Sequence, residues 1–363
     1  MFKFDFDIDD PADDLNISVS APATQAEVNA EINQDPFVEV SLQHLVDCLP
    51  SLISCSPLSI PSSGGDVTLA RRDLFDARFQ LINDEVNDEQ KDNSPALGFL
   101  DAPSDLVQGV YEGGLKTWEC SLDIVDYLHA ESLVFEGRRV FEVGCGTAVP
   151  SVYILQKLFS GLPHGKETQL HLQDYNAMVF ELLTLPNLIL AWYMSPASKA
   201  YRDMATTNPD ETPLPPADAS IHAEIPITLE LKTAFLSSLE AYAIQLRFFS
   251  GSWSSFGFHQ SGGAYDIVLT SETIYRTDSV GSLIDLLQSV SPTVNSLTSR
   301  LPISDGENAP SFSCLVAAKI FYFGVGGGVT SFVEAVEERE GRVETVWEQK
   351  VGVGRKIMRI QWP

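Results

Sequence analysis

From Ser104 onward the sequence alternates short apolar runs with stretches of helical apolar spacing, and this rhythm restricts the possible folds most strongly. The apolar runs end near glycine or aspartate, as buried strands do before a turn. Such alternation is typical of βαβ units, in which helices cover both faces of a parallel sheet. We therefore predict a doubly wound α/β fold with a mostly parallel sheet of about seven strands.

Five runs have the composition of parallel strands, and a closing pair near the C-terminus alternates apolar and polar residues. The five predicted strands are residues 139–147, 169–176, 244–253, 265–275 and 313–323. Residues 343–350 and 355–362 form the predicted closing pair. The run at 177–192 has helical spacing until Pro186 interrupts it.

The first third of the chain differs in composition. Residues 1–110 hold 21 acidic and 5 basic residues, which is a net charge of −16 out of −27 for the whole chain. Residues 1–35 and 83–94 lack a periodic apolar pattern, so we expect disorder there. Residues 37–60 and 69–82 have enough apolar side chains to dock as short elements.

These differences predict two regions. An acidic, less regular and partly disordered N-terminal region covers residues 1–103, and the α/β domain covers residues 104–363. Within that domain, residues 194–226 are rich in proline, alanine, threonine and aspartate. We interpret them as a surface insertion that can be deleted without touching the core.

The charge and the cysteines exclude several classes of protein. A net charge of −27 argues against direct nucleic-acid binding and favours a basic protein partner. The acidic region is then either a solvated tail or an arm that recruits such a partner.

No apolar run has the roughly 18 to 20 residues needed to span a bilayer, and the acidic N-terminus is unlike a signal peptide. The five cysteines include no C-x-x-C pair, so we expect reduced thiols and no metal site. We also expect an intracellular protein that is a monomer.

A glycine turn follows the first predicted strand of the domain. Glu142-Val-Gly144-Cys-Gly146 lies where the strand meets the next helix, at the edge of a doubly wound sheet where ligands bind. Valine at position 149 replaces the third glycine of a dinucleotide motif, which favours a nucleoside without a pyrophosphate. The alternative is a plain strand-to-helix turn.

The next two strands end in residues that suit a nucleoside. Asp174 ends the second strand, where an acid accepts hydrogen bonds from ribose hydroxyls, although an aspartate there is often a turn former. Trp253, in the segment Ser250-Gly-Ser-Trp253, can place its indole beside an adenine or simply pack against the protein.

The fourth predicted strand brings a carboxylate and a phenol to the same edge of the sheet. Glu272 and Tyr275, in Thr270-Ser-Glu-Thr-Ile-Tyr275, are the candidate catalytic residues, placed to orient an acceptor nitrogen. The alternative is that they are a turn-capping acid and a packing tyrosine.

Six motifs in one order resemble the protein-histidine N-methyltransferases that modify a large-subunit ribosomal protein, a branch of the seven-β-strand, Rossmann-like class I methyltransferases. The resemblance covers most of residues 104–360. The motifs are GVYEGGLKTWEC at 109–120, EVGCG at 142–146, QDYN at 173–176 with TLPN at 184–187, FFSGSW at 248–253, LTSETIY at 269–275, and Lys319 with YFGVGGG at 322–328.

The resemblance implies S-adenosylmethionine as the cofactor, a basic ribosomal protein as the partner, and a place in the cytoplasm and nucleus. Gly144 and Gly146 would lie under the methionine part, with Glu142 in the same turn, and Ser271 would form the crevice floor. The other implied pocket residues are Trp118, Glu119 and Cys120 around the cofactor, Gln173, Asp174 and Tyr175 at the ribose, and Gly251 and Trp253 at the adenine side.

Histidine suits this chemistry because much of an imidazole with a pKa near 6.5 is already neutral in the cell. The enzyme then has to fix the tautomer, and Glu272 is the candidate to accept the N–H of the other ring nitrogen. By the resemblance, Tyr322 and Phe323 would flank the imidazole, and the alternative is that they pack in the core. The alternatives are a lysine methyltransferase of the same fold, a non-catalytic acidic adaptor or chaperone for basic ribosomal proteins, and a small-molecule methyltransferase.

Overall fold

The computed structural model describes residues 35–87, 114–163, 165–205, 213–292, 312–322 and 326–363. The strands are β1 Val38–Val40, β2 Leu52–Ile60, β3 Val67–Arg72, β4 Arg139–Val143, β5 Thr168–Asp174, β6 Ala223–Pro226, β7 Ile244–Ser250, β8 Ile267–Ser271, β9 Ser313–Lys319, β10 Arg342–Gln349 and β11 Arg355–Gln361. The α-helices are α1 Leu42–Asp47, α2 Leu74–Asn87, α3 Glu119–Ala130, α4 Val149–Ser160, α5 Leu185–Tyr193, α6 Lys199–Ala205, α7 Leu229–Ala241, α8 Phe258–Ser261, α9 Thr277–Val290 and α10 Val329–Glu337. A helical turn, Ala177–Val179, and a π-helical segment, Phe180–Thr184, lead directly into α5.

Eight of the described strands form the main sheet, in the order β1-β7-β5-β4-β8-β9-β11-β10. The five strands from β7 to β9 are parallel, whereas β11 and β10 are antiparallel to their neighbours. The chain order reverses beside β4, and at such a switch point the carboxyl ends of neighbouring strands leave a crevice. The predicted doubly wound, mostly parallel α/β fold is confirmed.

The eighth strand comes from the N-terminal region. Residues Val38–Val40 pair antiparallel with β7, so that Val38 lies opposite Ser250. The seven predicted strands are thus extended by one at the edge of the sheet. Three residues are too few to show an alternating pattern in the sequence, which is why this strand was not predicted.

A second sheet, with the order β3-β2-β6, joins the N-terminal region to the predicted insertion. Ile53 in β2 pairs with Ile225 in β6, and both side chains are fully buried. The prediction that residues 194–226 are a dispensable surface insertion is therefore wrong, because β6 fills part of the core. Residues 38–72 likewise contribute to both sheets rather than forming a region apart from the domain.

Helix α5 is covered on all sides, since every residue from Leu185 to Tyr193 is buried. Pro186 lies in its first turn, and the carbonyl oxygen of Leu182, four residues earlier, accepts a hydrogen bond from Arg72 Nη1 at 2.7 Å in place of the missing N–H. The prediction that Pro186 ends the helical run is wrong for this reason.

Some predictions lie outside the described residues. These include disorder in residues 1–34 and 88–94, the motif residues 109–113, and Phe323. Residues 83–87 belong to α2, contrary to the disorder expected for them. Among the described residues no single helix is long and apolar enough to cross a membrane, although the bent pair Ala177–Tyr193 and Pro196–Met204 passes on length and composition.

Candidate active site

The glycine turn after β4 is packed on both sides. Gly144 has φ +63° and Gly146 has φ +50°, which is the left-handed region that favours glycine. A Cβ on Gly144 would lie 2.6 Å from Thr273 Cγ2, and one on Gly146 would lie 3.1 Å from the backbone of Gly114. A side chain at either position would therefore displace a neighbouring segment.

Gln173 connects this turn to the end of β7. Its buried side chain accepts hydrogen bonds through Oε1 from Trp253 Nε1 at 2.8 Å and from Gly144 N at 3.2 Å. Its Nε2 donates to the carbonyl oxygen of Gly251 at 3.0 Å. Gln173 thus fixes the indole of Trp253 relative to the glycine turn.

Asp174 is bound by the backbone on the other side of the turn. Its Oδ2 accepts from Gly146 N at 2.8 Å and its Oδ1 accepts from Asn176 N at 3.2 Å. Burial raises the pKa of Asp174 to about 6, although its backbone donors oppose this rise. An ionised carboxylate has roughly four acceptor sites, so the backbone donors of Gly146, Tyr175 and Asn176 leave acceptor capacity for a hydroxyl group.

Tyr175 and Gly251 lie where the N-terminal segment crosses the end of β7. The Tyr175 hydroxyl donates to the carboxylate of Asp35. Gly251 has φ +113°, and a Cβ there would lie 2.1 Å from the carbonyl oxygen of Pro36. The close approach of this backbone therefore explains why residue 251 is glycine without any ligand.

Glu142 holds the helix after the turn. Its Oε2 accepts from Ser151 N at 2.9 Å and also from the Ser151 hydroxyl, so it binds the first turn of α4. Its side chain is 2% exposed, and burial raises its pKa to about 8. This geometry makes Glu142 an anchor for α4 and the glycine turn, and its contact with the cofactor stays a prediction.

A second group of side chains surrounds Glu272, just after β8. Glu272 has φ +58°, a strained conformation for a residue other than glycine. Its Oε2 accepts from the Tyr322 hydroxyl at 2.7 Å. Its Oε1 is buried without a hydrogen-bond partner among the described residues, and Lys319 Nζ lies 3.5 Å away.

Lys319 joins Glu272 to the start of α3. Its Nζ lies 3.0 Å from Glu119 Oε2 and 4.8 Å from the ring centroid of Trp118, a cation–π contact. Burial alone would lower the pKa of Lys319, but Glu272 and Glu119 raise it above its usual value. The ammonium group therefore stays charged and brings Trp118, Glu119 and Glu272 together.

Cys120 lies in the same group and is fully buried. Burial and the nearby Glu272 carboxylate raise the pKa of its thiol. The thiol is therefore neutral and is a poor nucleophile.

No protein-family model matches the chain. It is 32% identical over 280 residues to histidine protein methyltransferase 1 of Saccharomyces cerevisiae, covering 75% of this chain and 69% of the relative. It is 30% identical over 331 residues to histidine protein methyltransferase 1 of Schizosaccharomyces pombe, covering 88% and 83%. The chain belongs to the histidine protein methyltransferase family.

Similarity within this histidine protein methyltransferase family extends to animals. The homologue from Bos taurus is 31% identical over 258 residues, which is 69% of this chain and 56% of the relative. Among solved structures, an rRNA methyltransferase, aviRa, from Streptomyces viridochromogenes is 17% identical with a TM-score of 0.35, covering 70% of this chain and 92% of the other. Structural likeness at that level is too low to bear on function.

The candidate site contains Lys319, a residue for which the sequence pattern predicted no role. Lys319 was part of a family motif, but its contacts with Glu119, Trp118 and Glu272 were not foreseen. A lysine at the carboxyl end of a buried strand was the available signal.

Ser271 is half-buried at the end of β8, and the Tyr275 ring lies 6.4 Å from that of Tyr322.

Proposed function

We propose that the chain transfers a methyl group from S-adenosylmethionine to a ring nitrogen of a histidine in a basic protein, a protein of the large ribosomal subunit. Family membership already assigns histidine rather than lysine as the acceptor. The donor, the substrate and the roles of the residues below belong to the proposal.

The observation that carries the mechanism is the state of the Glu272 carboxylate. One oxygen is bound by Tyr322 and the other is buried without a hydrogen-bond partner among the described residues. The nearest cationic group to this oxygen is the Lys319 ammonium at 3.5 Å, so the oxygen keeps capacity to accept a hydrogen bond from a group that binds there during function. We assign that group as the N–H of the substrate imidazole.

This contact would select the tautomer. Glu272 Oε1 accepts the proton-bearing nitrogen, so the other nitrogen keeps its lone pair free for attack. Tyr322 holds the carboxylate from the opposite side, and the Lys319 ammonium balances its charge. Much of an imidazole is neutral near pH 7, so no strong base has to remove a proton beforehand.

The residues of the glycine turn fit a sulfonium nucleoside. Asp174 has the acceptor capacity for ribose hydroxyls, Trp253 presents an indole beside the turn, and Gly144 and Gly146 give the turn its left-handed backbone. S-adenosylmethionine, when bound, supplies the activated methyl group. Trp118, beside Lys319, would cover the site from the start of α3.

A basic substrate suits the charge of the protein. A net charge of −27 attracts a cationic partner and accelerates the encounter. Ribosomal proteins are the class that the resemblance in sequence implied. The adaptor alternative also uses this charge, but it gives no reason for the arrangement around Glu272.

The test uses labelled S-adenosylmethionine and large ribosomal subunits from a strain that lacks the gene. The purified enzyme is expected to label one histidine, identified by mass spectrometry of the digested proteins. Glu272→Gln should lower turnover at least about tenfold, because an amide accepts a hydrogen bond more weakly than a carboxylate. Glu337→Gln, at an exposed position on α10, is the matched control. Label on lysine, or full turnover by Glu272→Gln, would contradict the proposal.

A further inference from the structure

Three side chains of different chemistry converge on the face of the molecule where α1 meets the π-helical segment. They are His44 and Cys48 of the α1 region and Glu181 of the π segment, and one ligand atom from each lies within 4.8 Å of the other two. We propose that these residues bind a zinc ion, and we call them the α1 zinc site. This inference does not depend on the methyl-transfer reaction.

The local structure brings the three donors to one point. His44 and Cys48 are four residues apart, so they share a face of the helix. Cys48 Sγ lies 3.8 Å from His44 Nε2, and the same nitrogen lies 3.5 Å from Glu181 Oε1. Zn–S bonds of about 2.3 Å and Zn–N bonds of about 2.0 Å in a tetrahedral site give ligand separations of about 3.3 to 3.7 Å. All three donor atoms lie within 4.8 Å of one another, so the most distant pair has to approach by up to about 1.5 Å to close around an ion.

The donor set favours zinc among the divalent cations. A thiolate, an imidazole and a carboxylate are the three ligand types that zinc takes in proteins, whereas magnesium and calcium prefer oxygen alone. The thiolate and the carboxylate together neutralise the charge of the ion. The His44 side chain is 58% exposed, so water can occupy the fourth position.

The position of the site gives the ion a structural role. Glu181 lies in the π segment Phe180–Thr184, and Thr184 at its end donates a hydrogen bond to the carbonyl oxygen of Gly146 at 2.7 Å. Helix α1 belongs to the N-terminal region, which reaches the main sheet through β1. A zinc ion would thus clamp this region to the helix that supports the glycine turn.

The binding experiment uses full-length protein purified without a histidine tag in a reducing buffer. After treatment with a chelator, one equivalent of zinc should rebind and remain through gel filtration. Cobalt(II) in place of zinc should produce a thiolate-to-metal charge-transfer band together with the intense visible bands of a tetrahedral site. Zinc should also raise the Tm, because the ion binds only the folded chain.

Variants of the ligands distinguish the α1 zinc site from chance binding elsewhere. Cys48→Ser should remove the charge-transfer band, and His44→Ala or Glu181→Gln should weaken zinc binding at least about tenfold. His222→Ala, at an exposed histidine that hydrogen-bonds Ser56, should leave binding unchanged. Circular dichroism of each variant in chelator shows whether the fold is intact. Absence of cobalt bands, or bands that persist in Cys48→Ser, would overturn the proposal.

Discussion

At the scale of single residues, the site depends on two buried carboxyl groups. Asp174 is 7% exposed, accepts hydrogen bonds from the backbone and has a pKa raised by burial to about 6. Glu272 keeps one oxygen without a hydrogen-bond partner among the described residues. The first property suits a ligand with hydroxyl groups, and the second suits a ligand with an N–H.

Asp174→Asn is expected to weaken S-adenosylmethionine binding about tenfold or more, since hydrogen bonds to a charged acceptor contribute about 1.5 to 3 kcal/mol. In the wild type, affinity should fall as the pH drops through about 6, because protonation removes the charge that accepts the hydroxyls. Titration calorimetry at pH 7.5 and pH 5.5 measures both effects. Asp218→Asn, at an exposed turn, is the control, and equal affinity in the two variants would refute the assignment.

Tyr322→Phe tests the positioning of Glu272. Without the hydroxyl that binds Oε2, the carboxylate loses its fixed orientation, so kcat should fall about tenfold while the Kd for the donor stays the same. Steady-state turnover assays measure kcat, and titration with the donor measures its Kd. Tyr242→Phe, whose hydroxyl makes only a long 3.4 Å contact with Gly161, should behave as wild type. A changed donor affinity with a normal kcat would contradict this prediction, because it would show that Tyr322 affects donor binding and does not position Glu272.

At the scale of elements, the glycine turn is the tightest constraint. Gly146→Ala should abolish measurable donor binding in a protein that still folds, because the new methyl group would push against the backbone of Gly114. Gly165→Ala has a similar positive φ of +68° but no neighbour within 4 Å, so it isolates the effect of backbone strain. Donor binding by calorimetry and folding by circular dichroism are the readouts. Normal binding by Gly146→Ala would show that the turn does not contact the donor.

The sequence predicted those elements whose pattern is local. The five parallel strands and the closing hairpin each carry a run of apolar residues long enough to recognise, and the glycine turn follows directly from one of them. β6 has only four residues in a proline-rich stretch, and its partner β2 lies far away in the chain, so no local signal marked it. The same holds for Lys319, whose contacts come from α3 and from the segment after β8.

At the scale of the whole molecule, two buried carboxyl groups make stability depend on pH. The pKa of Glu142 is raised from 4.5 to about 8 and that of Asp174 from 3.8 to about 6, both chiefly by burial. The native state therefore keeps protons that the unfolded chain releases. A rising pH then favours unfolding across the window from about 4 to about 8.

The contribution of these two groups to the free energy of unfolding should fall between pH 5 and pH 8, by up to about 1.4 kcal/mol per pH unit for each group whose unfolded and folded pKa values bracket the pH. Buried His171, whose pKa burial lowers to about 3, acts in the opposite direction below about pH 6.5. Glu142→Gln removes the larger of the two contributions. The free energy of unfolding of this variant should therefore change less with pH over this range than that of the wild type. Urea denaturation at pH 5, 6.5 and 8 measures the dependence. Glu224→Gln, exposed in β6, serves as the control, and parallel curves for Glu142→Gln and wild type would contradict the reasoning.

The pairing of β1 with β7 constrains how the chain is made. Val38 lies opposite Ser250, so this edge of the sheet can close only after synthesis has passed β7. Until then the acidic N-terminal region has no sheet edge with which to pair. Its surplus of carboxylates gives it the mutual repulsion that keeps such an unpaired strand from aggregating.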